Sequence, residues 1–372
     1  MSEKIIIVEN SSSNIRIFRS EMVSDMQSHG YEVVVVSGEP SIKDLEFYRS
    51  NKIKYLIVKY KRTGTNLIGD FSYYRQLRKI FNKEKPEIVM TMAIKPCIYG
   101  GIAAKKAKSK FYPFLIGLSS IFTMKSLKMS LARAYSVPMF KKSFKYASTV
   151  FSHNQEAIDV FKKNKIIKKQ KIKILGGSGV NLEHFYLADL PSEPSFIFVG
   201  RILRDKGIYE FIEASKKILS EFPNTKISIL GDFDSNPSSL QKDKFEKLLS
   251  GTKINYCGFQ DDVRPFLKQH SVFVLPSYHE GTPKSTLEAM AMGRVILTTT
   301  APGCDSTVID GVNGFKVPVG DSDALYQKMK YFINNANILK QMSIESRTIA
   351  KEKYDVVKVN NTILDVLGEK ND

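Results

Sequence analysis

The chain has 372 residues, 42% of them hydrophobic, and its 56 Lys and Arg against 38 Asp and Glu give a net charge of +18. That length favours two domains of roughly 100 to 200 residues over a single core. The 14 residues from Phe111 to Met124 form the longest uncharged stretch, short of the roughly 18 apolar residues of a spanning helix, and three widely spaced cysteines, Cys97, Cys257 and Cys304, exclude a disulfide framework and offer no zinc pattern.

MSEKIIIVEN runs straight into an apolar strand, Lys4 to Val8, without a signal core, which sets the expectation of a cytoplasmic protein. The polar loop Glu9 to Asn14 follows, then a helical pattern through Ile15, Phe18, Met22, Val23 and Met26 to Gly30, then a strand from Tyr31 to Val36. This order is the doubly wound α/β pattern. The first loop is serine-rich and lacks GxGxxG, which argues against a dinucleotide cofactor. Ser13, Asn14, Arg16 and Arg19 lie in or just past it, where the arginines either reach a substrate anion or stay solvated. Further strands are expected at Lys54 to Val58, Ile88 to Met92, Phe111 to Leu115, Thr149 to Ser152 and Lys171 to Leu175. Helices are expected at Tyr73 to Phe81, Gly100 to Ala107 and Lys125 to Lys145, the last interrupted near Pro138. Lys95 and His153 stand at the carboxyl ends of two strands, although a lone histidine is more often structural than catalytic.

Leu187 to Ser195 has two prolines and no apolar period, so it reads as a linker. The expected domains are therefore 1–188 and 189–350, with 351–372 a helix packing back across the junction. The second series opens with the strand Phe196 to Val199 and the loop GRILRDKG. Arg201 and Lys206 in that loop are either solvated cations or a phosphate clamp, Arg bidentate and Lys a point charge. Strands follow at Lys226 to Leu230 and Lys253 to Cys257, and helical patterns at Tyr209 to Leu219, Leu240 to Leu249 and Val263 to Lys268.

Residues 271–293, SVFVLPSYHEGTPKSTLEAMAMG, join a buried strand, a loop and a helix start. Thr282 suits the N-cap and Pro283 the first helical position, with Leu287, Met290 and Ala291 at helical spacing until Gly293. The N–H groups of Lys284, Ser285 and Thr286 would then point a helix dipole at an anion. Glu280 in the loop and Glu288 within the helix cannot form a close pair on one face. An acid beside a phosphate site repels unless it accepts from hydroxyls, so a sugar nucleotide fits better than a bare anion. Strands Val295 to Thr299 and Gly314 to Val317, a helix from Ala324 to Ile333 and a helical tail from Met342 to Leu367 complete the chain.

The charge is uneven. Residues 1–190 hold 33 Lys and Arg against 15 Asp and Glu, and residues 191–372 hold 23 of each. Ile88 to Gln155 has 11 basic residues and no acid. Such a field draws in nucleic acid, an acidic membrane surface or a phosphorylated substrate. Within it, Lys125, Lys128, Arg133, Lys141, Lys142 and Lys145 interleave with Leu127, Met129, Leu131, Met139 and Phe140, as in an interfacial helix.

The segments GRILRDKG (200–207), LGD (230–232), GFQDDV (258–263), PSYHEGTPKSTLEAMAMG (276–293) and DGVNGFKVP (310–318) together resemble the retaining glycosyltransferases of family 4. Glu280 and Glu288 have the spacing of that family's EX7E motif. SSSNIRIFR, AIKPCIYGG, GLSSIFT and GSGVNLEHF in the first half look like the branch that builds bacterial capsule, O-antigen and other lipid-linked glycans. The resemblance implies the GT-B fold, two Rossmann-like doubly wound domains facing a central cleft. It implies that Arg201 and Lys206 hold the diphosphate of a nucleotide sugar, with the amides near Ser285 and Thr286 completing the cradle. Glu288 would accept from the ribose, Glu280 would face the transferred sugar, and backbone around Phe259 would meet the base. Gly281, Thr282, Pro283 and Lys284 belong to the same donor loop. Asp305 and Ser306 after Cys304 depart from the Arg-Glu common in relatives.

The function expected on this resemblance is transfer of an N-acetylhexosamine or its 6-deoxy form from a UDP-sugar to a lipid-diphosphate-linked acceptor. No cofactor and no metal are expected. Ser13, Asn14, Arg16, Arg19, Lys95 and His153 are the acceptor-side candidates, and the protein would sit peripherally on the inner face of the cell membrane. A non-hydrolysing UDP-sugar 2-epimerase shares the architecture but would release no UDP in net turnover. A nucleic-acid-binding protein would use the charge, but no nucleic-acid motif is present.

Overall fold

The computed structural model describes residues 2–61, 67–117, 120–123, 126–234 and 239–369, with the side chains of Ser120, Thr123 and Lys128 excepted. The chain divides into two units, residues 1–178 together with 359–372, and residues 179–358. Each has its own Rossmann-like parallel sheet.

The first sheet has seven strands, β1 (Lys4–Val8), β2 (Glu32–Ser37), β3 (Lys54–Ile57), β4 (Ile88–Met92), β5 (Lys110–Leu115), β6 (Thr149–Ser152) and β7 (Lys171–Ile174), in the order β3-β2-β1-β4-β5-β6-β7. Ile6 pairs in parallel register with Val34 on one side and Val89 on the other. The central strands β1 and β4 are apolar on both faces because both faces are covered, whereas the edge strands β3 and β7 carry lysines and are partly exposed. Ile5, Ile7 and Met90 join Met22, Val23 and Met26 of helix Ser20–Ser28 in one core. Ile6, Val8 and Val89 join Tyr73, Leu77, Phe81, Phe140 and Phe144 in the other. Helix Leu127–Phe144 runs through Pro138 without a break, contrary to expectation. The hydrogen bond lost at proline is outweighed there by full burial of Phe140 and Phe144. Helices also stand where none is expected, among them Ile42–Ser50, opened by a Ser41–Asp44 capping box, and Gln155–Lys163, capped by Asn154.

The second sheet has six strands, β8 (Phe196–Val199), β9 (Ile227–Leu230), β10 (Asn255–Tyr256), β11 (Val272–Leu275), β12 (Val295–Thr299) and β13 (Gly314–Val317), in the order β10-β9-β8-β11-β12-β13, all parallel. In both sheets the strand order reverses beside the first strand, between β1 and β4 and between β8 and β11. At such switch points the loops beyond the carboxyl ends diverge and leave a crevice for ligands.

The segment expected as a linker is instead packed on the second unit. Ala188 N–H donates to Met292 O (3.3 Å), and the buried Arg294 guanidinium donates to the carbonyls of Ala188, Asp189, His270 and Met292. Ala188 joins the core of that unit and Leu190 packs against it, and the segment's buried carbonyls, which need donors, are met by the guanidinium. The chain passes between units at Ser178 and Gly179. Gly179 has φ +73°, and a Cβ there would lie 2.6 Å from Val356 Cα. The tail is likewise two helices, Leu339–Lys353 and Val356–Gly368. They part where Val180 N–H donates to Tyr354 O and Val356 N–H to Val180 O, at 2.7 and 3.1 Å. From Val359 onward the last helix belongs to the first unit, with Ile363, Leu364 and Leu367 in the core around Ile5. Of the expected tail 351–372, residues 351–358 belong to the second unit and 359–372 to the first.

Candidate active site

The second switch point gathers three loops, and glycines let them touch. Gly207 has φ +72°, and a Cβ on it would stand 2.0 Å from Pro276 O. That close approach lets Tyr278 N–H and Ser277 Oγ both donate to Asp205 O at 2.9 Å. The loop after β8 is thus stitched to the loop after β11, and Lys206 Nζ reaches Glu280 Oε1 in an ion pair. A third loop, after β12, supports the acid from behind. Glu280 N–H donates to Pro302 O (3.0 Å), and a Cβ on Gly303 would collide with Glu280 O at 2.3 Å. Arg201, at the start of the first loop, is exposed and paired with Asp234.

Helix Lys284–Ala291 starts one residue later than expected. Pro283, extended at φ −70° and ψ 117°, holds the N-cap position, and no side chain caps the helix. Thr282 Oγ1 turns to Gly281 O instead (3.0 Å). Thr286 N–H is already spent on Pro283 O (3.0 Å), and its buried hydroxyl has no partner, so Thr286 does not offer the amide expected of it. Glu288 is half-buried in the second turn, and Ser285, Lys284, Gly281 and Thr282 are half-buried around the helix start. Phe259 follows β10, 61% exposed, beside Gly258, whose carbonyl accepts from Gly231 N–H (2.9 Å). Asp305, at the expected departure, pairs with Lys316 on β13 (2.7 Å).

In the first unit, Asn14 follows β1, Lys95 follows β4 and His153 follows β6, all at the carboxyl edge of the sheet. Asn14 Nδ2 donates to Glu9 Oε1 (2.9 Å) and Asn10 Oδ1 (3.1 Å). A cavity of about 260 Å³ opens there, with Asn10, Asn14, Ile94 and Phe114 among its walls. Ser13 and Arg16 are engaged elsewhere, since both donate to the fully buried Asp44 at 2.8 and 2.9 Å. Those bonds, with others from Ser12 and Ser41, hold the Asp44 carboxyl well below its usual range against the effect of burial. Lys95 Nζ is tied to Asp70 Oδ1 (2.7 Å) and Lys61 O (2.8 Å). Arg19 is buried 5.7 Å above the Phe114 ring, and burial lowers its pKa while the Glu9 carboxylate opposes the shift. His153 is buried with neither ring nitrogen partnered, and burial, then the Arg19 charge, push it down to about 3. Among the described residues no three His, Cys, Asp or Glu side chains come together as a metal-holding group.

Comparison with known proteins agrees with this division. Residues 4–154 match the model described as Glycosyl transferase 4-like, and residues 193–335 match that for Glycosyl transferases group 1. The chain belongs to the glycosyltransferases. The N,N'-diacetylbacillosaminyl-diphospho-undecaprenol alpha-1,3-N-acetylgalactosaminyltransferase of Campylobacter jejuni is 25% identical to this transferase, with 90% of each chain covered. The capsular polysaccharide biosynthesis glycosyltransferase CapM of Staphylococcus aureus is 25% identical over 95% of this chain and 93% of its own. The Escherichia coli UDP-Gal:alpha-D-GlcNAc-diphosphoundecaprenol alpha-1,3-galactosyltransferase is 26% identical over 86% and 84%. In fold, the transferase is similar to a glycosyltransferase from Rickettsia africae (TM-score 0.79, 18% identical, 99% and 100% covered). It is also similar to Anabaena Alr3699/HepE in complex with UDP (0.77, 16%, 98% and 99%). Its units have the two folds of GT-B glycosyltransferases.

Two acids of the transferase were not among the expected site residues. Glu9 is buried at the end of β1 and accepts from Asn10 N–H and Asn14; its signal is an acid directly after an apolar strand. Glu210 accepts from Tyr278 Oη (2.6 Å), a bond that raises the Tyr278 pKa to about 12, with burial second. Nothing local in the sequence marks that pair.

Proposed function

We propose that this transferase moves an N-acetylhexosamine or its 6-deoxy form from a UDP-sugar to a lipid-diphosphate-linked acceptor in bacterial surface polysaccharide synthesis, with retained configuration and without a metal. The ion pair of Lys206 with Glu280, beside an uncapped helix start at the β8/β11 switch point, carries the reading. The acceptor oxygen bonds to the anomeric carbon as the bond to the β-phosphate breaks on the same face. The departing diphosphate takes the bonding electrons and then the acceptor's proton. Arg201, Lys206 and the helix dipole stabilise the charge that grows on it, and Glu280 faces the sugar. Glu288 takes the ribose and the backbone near Phe259 the base. The acceptor enters at the first switch point, against Asn14 and the neighbouring Lys95, Arg19 and His153, while Ser13 and Arg16 shape that loop through Asp44.

The names of the Campylobacter and Escherichia coli relatives support the acceptor class, and they differ in the sugar transferred. The basic half supports attachment to an anionic membrane face. Lys141, Lys142 and Lys145 are exposed, as are Leu127 and Leu131, whereas Phe140 is core. Lys125 and the Lys128 side chain lie outside the described residues. No described helix is long and apolar enough to cross a membrane. The test is a panel of UDP- and GDP-sugars, read by protection against thermal unfolding and by UDP release onto a lipid-diphosphate acceptor in EDTA. UDP-N-acetylhexosamines should protect and turn over. Protection by GDP-sugars alone, or turnover abolished by EDTA, refutes the corresponding part.

A further inference from the structure

On the first unit, helices Leu67–Glu84, Gly101–Ala107 and Leu127–Phe144 enclose a groove of about 500 Å³. That is the size of a small-molecule site. Phe71, Tyr74 and Tyr135 line it together with Lys105, Lys106 and Lys142, and it shares no lining residue with the cavity at the β1/β4 switch point. None of its lining residues is acidic. Tyr146, also in the wall, has Lys105 Nζ 3.6 Å and Lys145 Nζ 5.7 Å from its ring centroid, so cations crowd one aromatic side chain. The rim is apolar where a soluble surface is ordinarily polar. Leu67, Ile68 and Phe71 are exposed along one helix, and Leu127 and Leu131, 79% and 65% exposed, lie one turn apart along another in line with Tyr135.

We propose that this groove takes one anionic phospholipid of the bilayer, with an acyl chain in the aromatic trough and the phosphate on Lys105, Lys106 and Lys142. The proposal rests on the reading that the transferase works at a membrane. Tyrosines suit the depth of the headgroups, since each has an apolar body and a polar tip. Lysines are hydrated point charges that meet a phosphate at that level. Exposed leucines flanking the groove would enter the acyl layer beside the bound lipid, which gives them a cover that water does not.

The chain contains no tryptophan, so Phe71→Trp, at a position 59% exposed, installs a single reporter without disturbing the core. Dihexanoylphosphatidylglycerol below its micelle concentration should shift the emission to the blue saturably. Adding Lys105→Glu and Lys142→Glu should weaken that binding by about tenfold, with an unchanged thermal melt showing that the unit is folded. Dihexanoylphosphatidylcholine should give no saturable shift. No shift with the glycerol lipid, or equal shifts with both lipids, overturns the proposal. Transfer to a soluble short-chain acceptor separates the two readings. Transfer with no spectral shift sinks the groove alone, and a charge-selective shift with no transfer in the wild type sinks the functional reading alone.

Discussion

Glu280→Ala offers the sharpest test of how the donor site works, because Glu280 holds Lys206 in an ion pair. The side chains of the pair are 19% (Lys206) and 10% (Glu280) exposed. An ion pair of this kind is worth about 1 kcal/mol, and a diphosphate must draw Lys206 away from it. Removing the carboxylate frees the cation, so the Kd for UDP should fall by about fivefold. Turnover should nevertheless drop by about tenfold or more, since the acid that faces the sugar is gone. Lys206→Ala should do the reverse to binding, losing charge-assisted hydrogen bonds worth about 2 kcal/mol, or about thirtyfold in Kd. Titration calorimetry with UDP, alongside donor turnover, reads both quantities on both variants. If Glu280→Ala loses UDP affinity in parallel with turnover, Glu280 serves the nucleotide, and the competition inferred from the ion pair is wrong.

Gly207→Ala should lower Tm by about 4 °C or more and abolish protection by UDP, because a left-handed alanine costs about 1 kcal/mol and its Cβ would stand 2.0 Å from Pro276 O; a wild-type melt would show that the stitch between the loops after β8 and β11 yields easily. Acid stability should depend on His153, which is neutral in the folded state down to about pH 3 while its unfolded imidazole takes a proton near 6.5. Between those values the unfolded chain binds the extra proton, so stability is intact above about pH 6.5 and is lost as pH falls toward 3, by about 1.4 kcal/mol per pH unit. His153→Asn should make urea unfolding midpoints measured from pH 4 to 7 less steep in pH, and an unchanged slope would refute the buried neutral histidine.

The strands were legible in the sequence because a parallel strand covered on both faces must be apolar at every position, and Ile5 to Val8, Phe196 to Val199 and Val272 to Leu275 are. Arg201, Lys206 and Glu280 were legible as loop residues following strands, which the doubly wound pattern sends to the ligand edge. Their pairing was not. Lys206 and Glu280 are 74 residues apart, and they meet only because the sheet places β8 directly beside β11. Arg16 and Ser13 carried the same local signal as a substrate clamp, but Asp44, on a helix start no pattern announced, takes both. Thr286 does not offer its expected amide because its N–H closes a tight bond three residues back, on Pro283 O, at the helix start. The proline-bearing segment near residue 190 looked like a linker because it has no periodicity of its own, and Arg294, more than 100 residues away, satisfies its carbonyls. Periodicity and capping are local and are written in consecutive residues. Which buried charge finds which partner depends on strand order and the close approach of distant backbone, and those are settled only when the chain is folded.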